Sequence, residues 1–313
     1  MGQKLKLKFA VRLLVSIFLL GILIYIAGPA QIYKELINSR LDYNFAGFIL
    51  ILTGTFVAVY RWYIIMNELD FPKTPFLFYF KSYFRGIFFN QLLPSSIGGD
   101  AVKVIDTAKQ LGCKKREAFV GVLIDRGLGI AGIFLLNLIF NNMAQGFLPK
   151  SSYYILNIIS FSGTAGFIVF MFLHKIEYLN RLKFYQVISI PSKALWTVMA
   201  GFKKTFLQVI LSLSIHIFTF AGVYMIARAF GVDLPLYAFM VIMPPVILLT
   251  IIPISLAGWG VREVSMVSLL SYSGIAQETA LSISIIFGFT YVIQGLLGLY
   301  FFINSKKEIN NES

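Results

Sequence analysis

Two short stretches set cations and a helix break inside an apolar chain: residues 93–103, Leu-Pro-Ser-Ser-Ile-Gly-Gly-Asp-Ala-Val-Lys, and residues 252–262, Ile-Pro-Ile-Ser-Leu-Ala-Gly-Trp-Gly-Val-Arg. Proline and glycine interrupt a helix and strip backbone N–H groups of their intrahelical partners, and a helix N-terminus beside a cation is a natural seat for phosphate. The candidate binding groups are Ser96, Gly99, Asp100 and Lys103 in the first stretch, and Ser255, Gly258, Trp259, Arg262 and Glu263 in and beside the second. Asp100 and Lys103, three residues apart, fit a structural ion pair equally well. Arg262 and Glu263, next to a Gly-Trp-Gly break, have fewer structural explanations.

Other polar residues join these. Lys81 and Arg85 share a helical face at i,i+4, where they line a path for a polar group or merely reach for the interface, and Asn90 leads into the first break. Asp125-Arg126 lies inside an apolar run, where ionisable residues are functional candidates by default. Neighbours on a helix point about 100° apart, so the two cannot face one partner, and Arg126 is the stronger candidate. Arg61, late in another apolar run, reads as a residue that snorkels to the interface. His216 reads as a packed polar residue rather than a proton relay, and Cys113 as a plain loop residue.

The two stretches match in register: Pro94 with Pro253, Ser96 with Ser255, Gly99 with Gly258, Val102 with Val261 and Lys103 with Arg262. Residues 112–118 then align with 274–280, each a glycine followed by an alanine that opens a long apolar segment. The chain therefore reads as a duplication with halves of about 1–140 and 141–313 in a single transmembrane domain.

Composition fixes the class. With 58% hydrophobic and 13% charged residues and a mean hydropathy of +0.79, the chain has too little polar surface to coat a soluble globule, and reads as an all-α polytopic membrane protein. Its net charge of +13 would suggest nucleic acid in a soluble chain, but Lys and Arg cluster here in short loops, the pattern that orients a protein against an anionic leaflet. No nucleic acid partner is expected. One cysteine and two histidines, His174 and His216, argue against a disulfide framework and a Cys/His metal site. The sequence lacks G-x-x-x-x-G-K-[ST], so no cofactor is expected and any transport is passive or ion-coupled.

Hydropathy predicts six full spans at about 11–30, 45–63, 118–140, 153–173, 206–230 and 279–303, with a near-neutral loop after the first. Residues 76–111 and 236–273 read as helical hairpins, the second interrupted at Pro244-Pro245. The longest loop, between 173 and 206, is basic and hence cytoplasmic. Every lysine-rich loop and both termini then fall inside, in a cell (inner or plasma) membrane. Three spans separate the hairpins, so they enter from opposite sides and the repeat is inverted.

Asn90-Gln-Leu-Leu-Pro94-Ser-Ser-Ile-Gly-Gly-Asp100-Ala-Val-Lys103, the basic run into Ala118, Asp125-Arg126 and the stretch from Pro253 to Glu263 together resemble the flippase-like family named for the transmembrane region of lysylphosphatidylglycerol synthase. The resemblance covers most of the chain. It implies movement of amphiphilic lipids between leaflets, such as a phosphatidylglycerol derivative or a polyprenyl-phosphate-linked sugar. Lys103 stands where the family more often has Arg, Asp125 where it often has Glu, and Ala257 where Gly is common. The chain ends without the soluble aminoacyl-transferring domain, so the synthase reaction is not implied.

Two other classes compete. A membrane-embedded enzyme acting on lipid phosphates would use Asp100, Asp106, Asp125 and Glu263, but no nucleophile with a paired base and no dense acidic metal cluster accompanies them. A scaffold would recruit a lipid-modifying enzyme through its basic loops. The surplus of Lys81, Arg85, Lys103, Arg126 and Arg262 over Asp100, Asp125 and Glu263 favours a lipid with an anionic, phosphate-bearing head group.

Overall fold

The computed structural model describes residues 2–311 except 70, 93–96, 177, 179–180, 182, 253–254 and 256, with backbone alone at 2–10, 12, 92, 97, 183 and 306–311. Twelve α-helices and no strand occur among the described residues: α1 (Gly2–Ala27), α2 (Pro29–Asn38), α3 (Leu41–Glu68), α4 (Phe76–Leu92), α5 (Ile97–Leu111), α6 (Lys115–Met143), α7 (Lys150–Phe172), α8 (Lys183–Met199), α9 (Phe202–Ala229), α10 (Leu236–Ile251), α11 (Val261–Ser271) and α12 (Gln277–Asn311). Five helical segments, Leu41–Glu68, Lys115–Met143, Lys150–Lys175, Phe202–Ala229 and Gln277–Ser305, are long and apolar enough to cross a membrane. The chain is an all-α, multi-pass membrane protein.

The sixth expected span, 11–30, is not one rod. Gly28 adopts φ +79, Pro29 opens α2, and the axis turns by 83° between Leu13–Ala27 and Pro29–Asn38. Proline suits the first turn of a helix because its missing N–H has no partner there anyway, and glycine reaches left-handed φ without a Cβ penalty. The expected near-neutral loop is therefore an amphipathic helix, with Ile32 buried and Tyr33 and Ile37 exposed.

Two further expectations change. Pro244 and Pro245 do not interrupt the second hairpin arm: α10 runs through them, and every residue from Ala238 to Val246 is buried. With no charge in that helix, close packing on all sides holds it together, and the break falls beyond Ile251 instead. The long basic segment contains α8, whose Leu195, Val198 and Met199 pack with Ile65, Ile124 and Leu128 in one apolar cluster. Pro191 lies within that helix.

The helix pairs α4/α5 and α10/α11 match the predicted hairpins. Their arms of 17, 15, 16 and 11 residues are about 16–26 Å long at ~1.5 Å per residue, short of a ~30 Å hydrocarbon core.

The chain forms two compact units: one comprises Met1–Thr53, Lys81–Val102 and Phe218–Ser313, the other Gly54–Phe80 and Lys103–Ile217. In the first, α11 packs against α1, α10 and α12, and α2 against α1 and α12. Gly47 on α3 meets Gly222 on α9 so closely that a Cβ on Gly47 would lie 2.7 Å from the Gly222 carbonyl oxygen. Small residues allow such approach where no hydrophobic effect drives helices together. In the second, α6 packs on α7 and α8.

Candidate functional site

In the unit containing α6, three helices deliver charge to one buried point. Asp125, 3% exposed, projects from α6 and accepts from Arg61 of α3 through Nε at 3.1 Å and Nη2 at 2.9 Å, both onto Oδ1. Its Oδ2 lies 3.2 Å from the ammonium of Lys103 on α5. Arg61 Nη2 also donates to the Asp125 carbonyl at 2.8 Å and Nη1 to Ser212 Oγ on α9 at 3.0 Å. Lys103 sits 4.3 Å from the centre of the Trp62 ring, so that wall offers a π-face in place of water.

This corrects the reading of Arg61. It does not snorkel; it is 4% exposed and held by a carboxylate, a carbonyl and a hydroxyl. Arg126, the preferred candidate of its dipeptide, is exposed, while Asp125 occupies the buried side. The difference in burial arises because α6 turns residue 125, not 126, towards α3 and α5. His216 fits its expected packed role: Nε2 lies 2.9 Å from the Gly129 carbonyl, and Gly132 makes room for Ser212 and the His216 ring.

In the other unit the second motif builds its own centre. Ala257 at φ 51, Gly258 at φ 83 and Gly260 at φ 90 turn the chain into α11 through three positive-φ residues on either side of Trp259. Glu263, fully buried, accepts the Gly260 N–H at 2.6 Å and so caps α11. Its other oxygen takes Arg262 Nε at 3.0 Å, and also Arg262 Nη2 and Ser284 Oγ. The Arg262 guanidinium stacks 4.5 Å from the Trp259 ring and lies against Gly288 of α12, where a Cβ would intrude. Arg262 and Glu263 thus have the structural explanation that their sequence context did not supply. The buried Ser255 hydroxyl has no hydrogen-bond partner among the described residues.

Asn90 and Gly99 also meet. The Gly99 N–H donates to Asn90 Oδ1 at 2.7 Å, tying α5 to α4, and a Cβ on Gly99 would strike the Gly86 carbonyl. Lys81, Arg85 and Asp100 are half-buried. Ser96 lies outside the described residues. The partners that sequence reasoning missed, Arg61, Trp62, Ser212 and Ser284, are a cation taken for an interfacial one and three residues with no signature beyond their place on apolar helices.

Residues 9–298 match the family described as the lysylphosphatidylglycerol synthase transmembrane region, and the chain belongs to that family. No curated protein and no solved structure matches the chain.

Proposed function

We propose that this member of the lysylphosphatidylglycerol synthase transmembrane-region family is a transporter rather than an enzyme, moving a phosphate-bearing amphiphilic lipid between leaflets. The observation that carries this reading is the Asp125 centre: a carboxylate and two cations taken out of solvent on helices of a membrane protein. Such groups are expensive in a bilayer and mark ion or substrate pathways. The Arg262–Glu263 pair at the foot of α11 adds a second polar centre next to a broken helix, and the buried Ser255 hydroxyl earlier in the same motif has no hydrogen-bond partner among the described residues. Broken helices carry substrate sites in many transporters. A phosphatidylglycerol derivative or a polyprenyl-phosphate-linked sugar suits the cationic side chains that the two units carry, Lys81 and Arg85 in one and Arg126 in the other. We place the protein in the cell membrane with both termini cytoplasmic and treat its two motif-bearing halves as an inverted repeat, a reading that positive-inside counting and the odd number of crossings support.

The test is reconstitution into vesicles with fluorescent phosphatidylglycerol, fluorescent polyprenyl-phosphate sugar and a phosphate-free glycolipid. Leaflet exchange should be faster for one or both phosphate lipids than for the glycolipid, and Arg126→Gln or Lys81→Gln/Arg85→Gln should slow it without lowering the melting temperature. Equal exchange of all three would overturn the substrate class. A chemically altered lipid product would point to an enzyme.

A further inference from the structure

The bend at Gly28 brings the end of α2 to the end of α9. The Arg40 N–H donates to the Ala229 carbonyl at 3.0 Å, and Ser39 Oγ is fixed by the Leu36 carbonyl at 2.8 Å and the Asn44 side chain at 3.0 Å. These bonds frame a cavity of about 590 Å³, a volume typical of ligand pockets, roughly 300–1,000 Å³. Glu35, Asn38, Arg40 and Tyr43 line one side, Arg228 and Asp233 the other.

Two guanidiniums and two carboxylates thus border one space. Arg40 pairs with Asp42, their side chains 61% and 65% exposed, and Arg228 pairs with the still more exposed Asp233. Exposed pairs of this kind contribute little to stability, so a ligand that replaces one partner loses little by it. The Arg40 guanidinium lies 4.3 Å from the Tyr43 ring, which holds it in place. A bare anion would meet the carboxylates and a bare cation the guanidiniums; a ligand carrying both signs satisfies all four groups. The cavity lies where α3 begins and α9 ends, two membrane-crossing helices, so it opens at the membrane surface. Beside it α2 exposes Tyr33 and Ile37, an apolar edge suited to acyl chains.

We infer that this cavity is a surface site for the head group of a zwitterionic phospholipid, with Arg40 and Arg228 taking the phosphate and Glu35 and Asp233 the ammonium. The inference extends the lipid-handling reading above, from which it takes a bilayer ligand, but it concerns a different part of the protein.

The test uses the full chain in uncharged detergent, titrated with O-phosphoethanolamine, inorganic phosphate and ethanolamine and followed by saturation-transfer NMR. Phosphoethanolamine should bind best. Arg40→Gln and Arg228→Gln should each weaken it by about tenfold, the loss of a charge-assisted contact, and the Lys variants by less. Glu35→Gln should weaken phosphoethanolamine by about fivefold and leave phosphate binding as strong or stronger, because a carboxylate that repels the bare anion is gone. In nanodiscs, phosphatidylethanolamine should displace the soluble probe. Phosphate binding as tightly as phosphoethanolamine, variants that melt and bind like the wild type, or failure of the lipid to compete would each overturn the inference. Binding without leaflet exchange would remove the transport reading and leave this site standing.

Discussion

Lys103 and Asp125 stand 22 residues apart in sequence and 3.2 Å apart in space, and Asp125 simultaneously holds Arg61 from a third helix. One carboxylate is shared by two buried cations. Replacing it therefore strands more charge than replacing either partner.

Asp125→Asn should destabilise the protein by about 3–5 kcal/mol, the usual consequence of breaking a buried pair from one side. Lys103→Met, which keeps the Arg61–Asp125 bonds, should cost less than half as much. Thermal unfolding in detergent, followed by tryptophan fluorescence, checks the order. An Asp125→Asn protein that melts like the wild type would show that the centre contributes nothing to stability.

Ala257 is the one described non-glycine residue with positive φ, at 51°. A left-handed conformation costs an L-residue with a Cβ roughly 1–2 kcal/mol. Ala257→Gly should therefore raise the melting temperature, offset in part by the greater freedom of glycine in the unfolded chain. A fall in melting temperature would mean that the alanine methyl contributes packing that outweighs its strain.

Gly99→Ala should be among the most damaging single-methyl additions, because the new Cβ meets the Gly86 carbonyl and lies 2.6 Å from Asn90 Oδ1. Backbone cannot swing aside as a side chain does. Asn90→Ala removes one acceptor and should cost only about 1–2 kcal/mol. Expression yield and monodispersity of the two variants, side by side, report the difference.

Cys113, between α5 and α6, is a native probe of chemistry and topology. Burial, and then the nearby Glu117 carboxylate, push its thiol above the ordinary range. The thiol form therefore persists at neutral pH, and alkylation by iodoacetamide should be slow at pH 7 and still accelerating past the point where an exposed cysteine levels off. Glu117→Gln should speed the reaction at every pH below that plateau. In sealed, right-side-out vesicles an impermeant maleimide should leave Cys113 untouched; labelling from outside would reverse the proposed orientation.

Much of the fold was legible because membrane helices announce themselves by length and apolarity. The spans near 45–63, 118–140, 153–173, 206–230 and 279–303 each became a helix longer than predicted, since hydropathy sees only the oily centre and not the polar turns that continue beyond it. The break between α10 and α11 was readable from the glycines of the second motif; Pro94, read as the first break, lies outside the described residues. The bend at Gly28 was harder to see, for Ala27 and Ala30 keep the local hydropathy high while the backbone turns. Pro244-Pro245 misled in the opposite sense: proline breaks an isolated helix, yet α10 is buried from Ala238 to Val246 around the two prolines and keeps its course. Sequence singled out Asp125 and Lys103 in one unit and Arg262 and Glu263 in the other as candidates, but not the bonds they make. Arg61 lies 64 residues from Asp125, and nothing local distinguishes an arginine that reaches the interface from one that turns inward.

That separation also imposes an order on the making of the protein. At roughly 5–20 residues per second, Arg61 emerges from the ribosome about 3–13 s before its carboxylate does. An arginine at the middle of an inserting helix costs roughly 3 kcal/mol, and less towards the end, where its side chain reaches the aqueous boundary. We expect Arg61 to wait there until Asp125 arrives, so the snorkelled conformation belongs to the nascent chain and the buried pair to the finished protein. Ribosome-arrested chains ending before and after α6 should differ accordingly, with Arg61 open to a water-soluble arginine reagent in the shorter chain and protected in the longer.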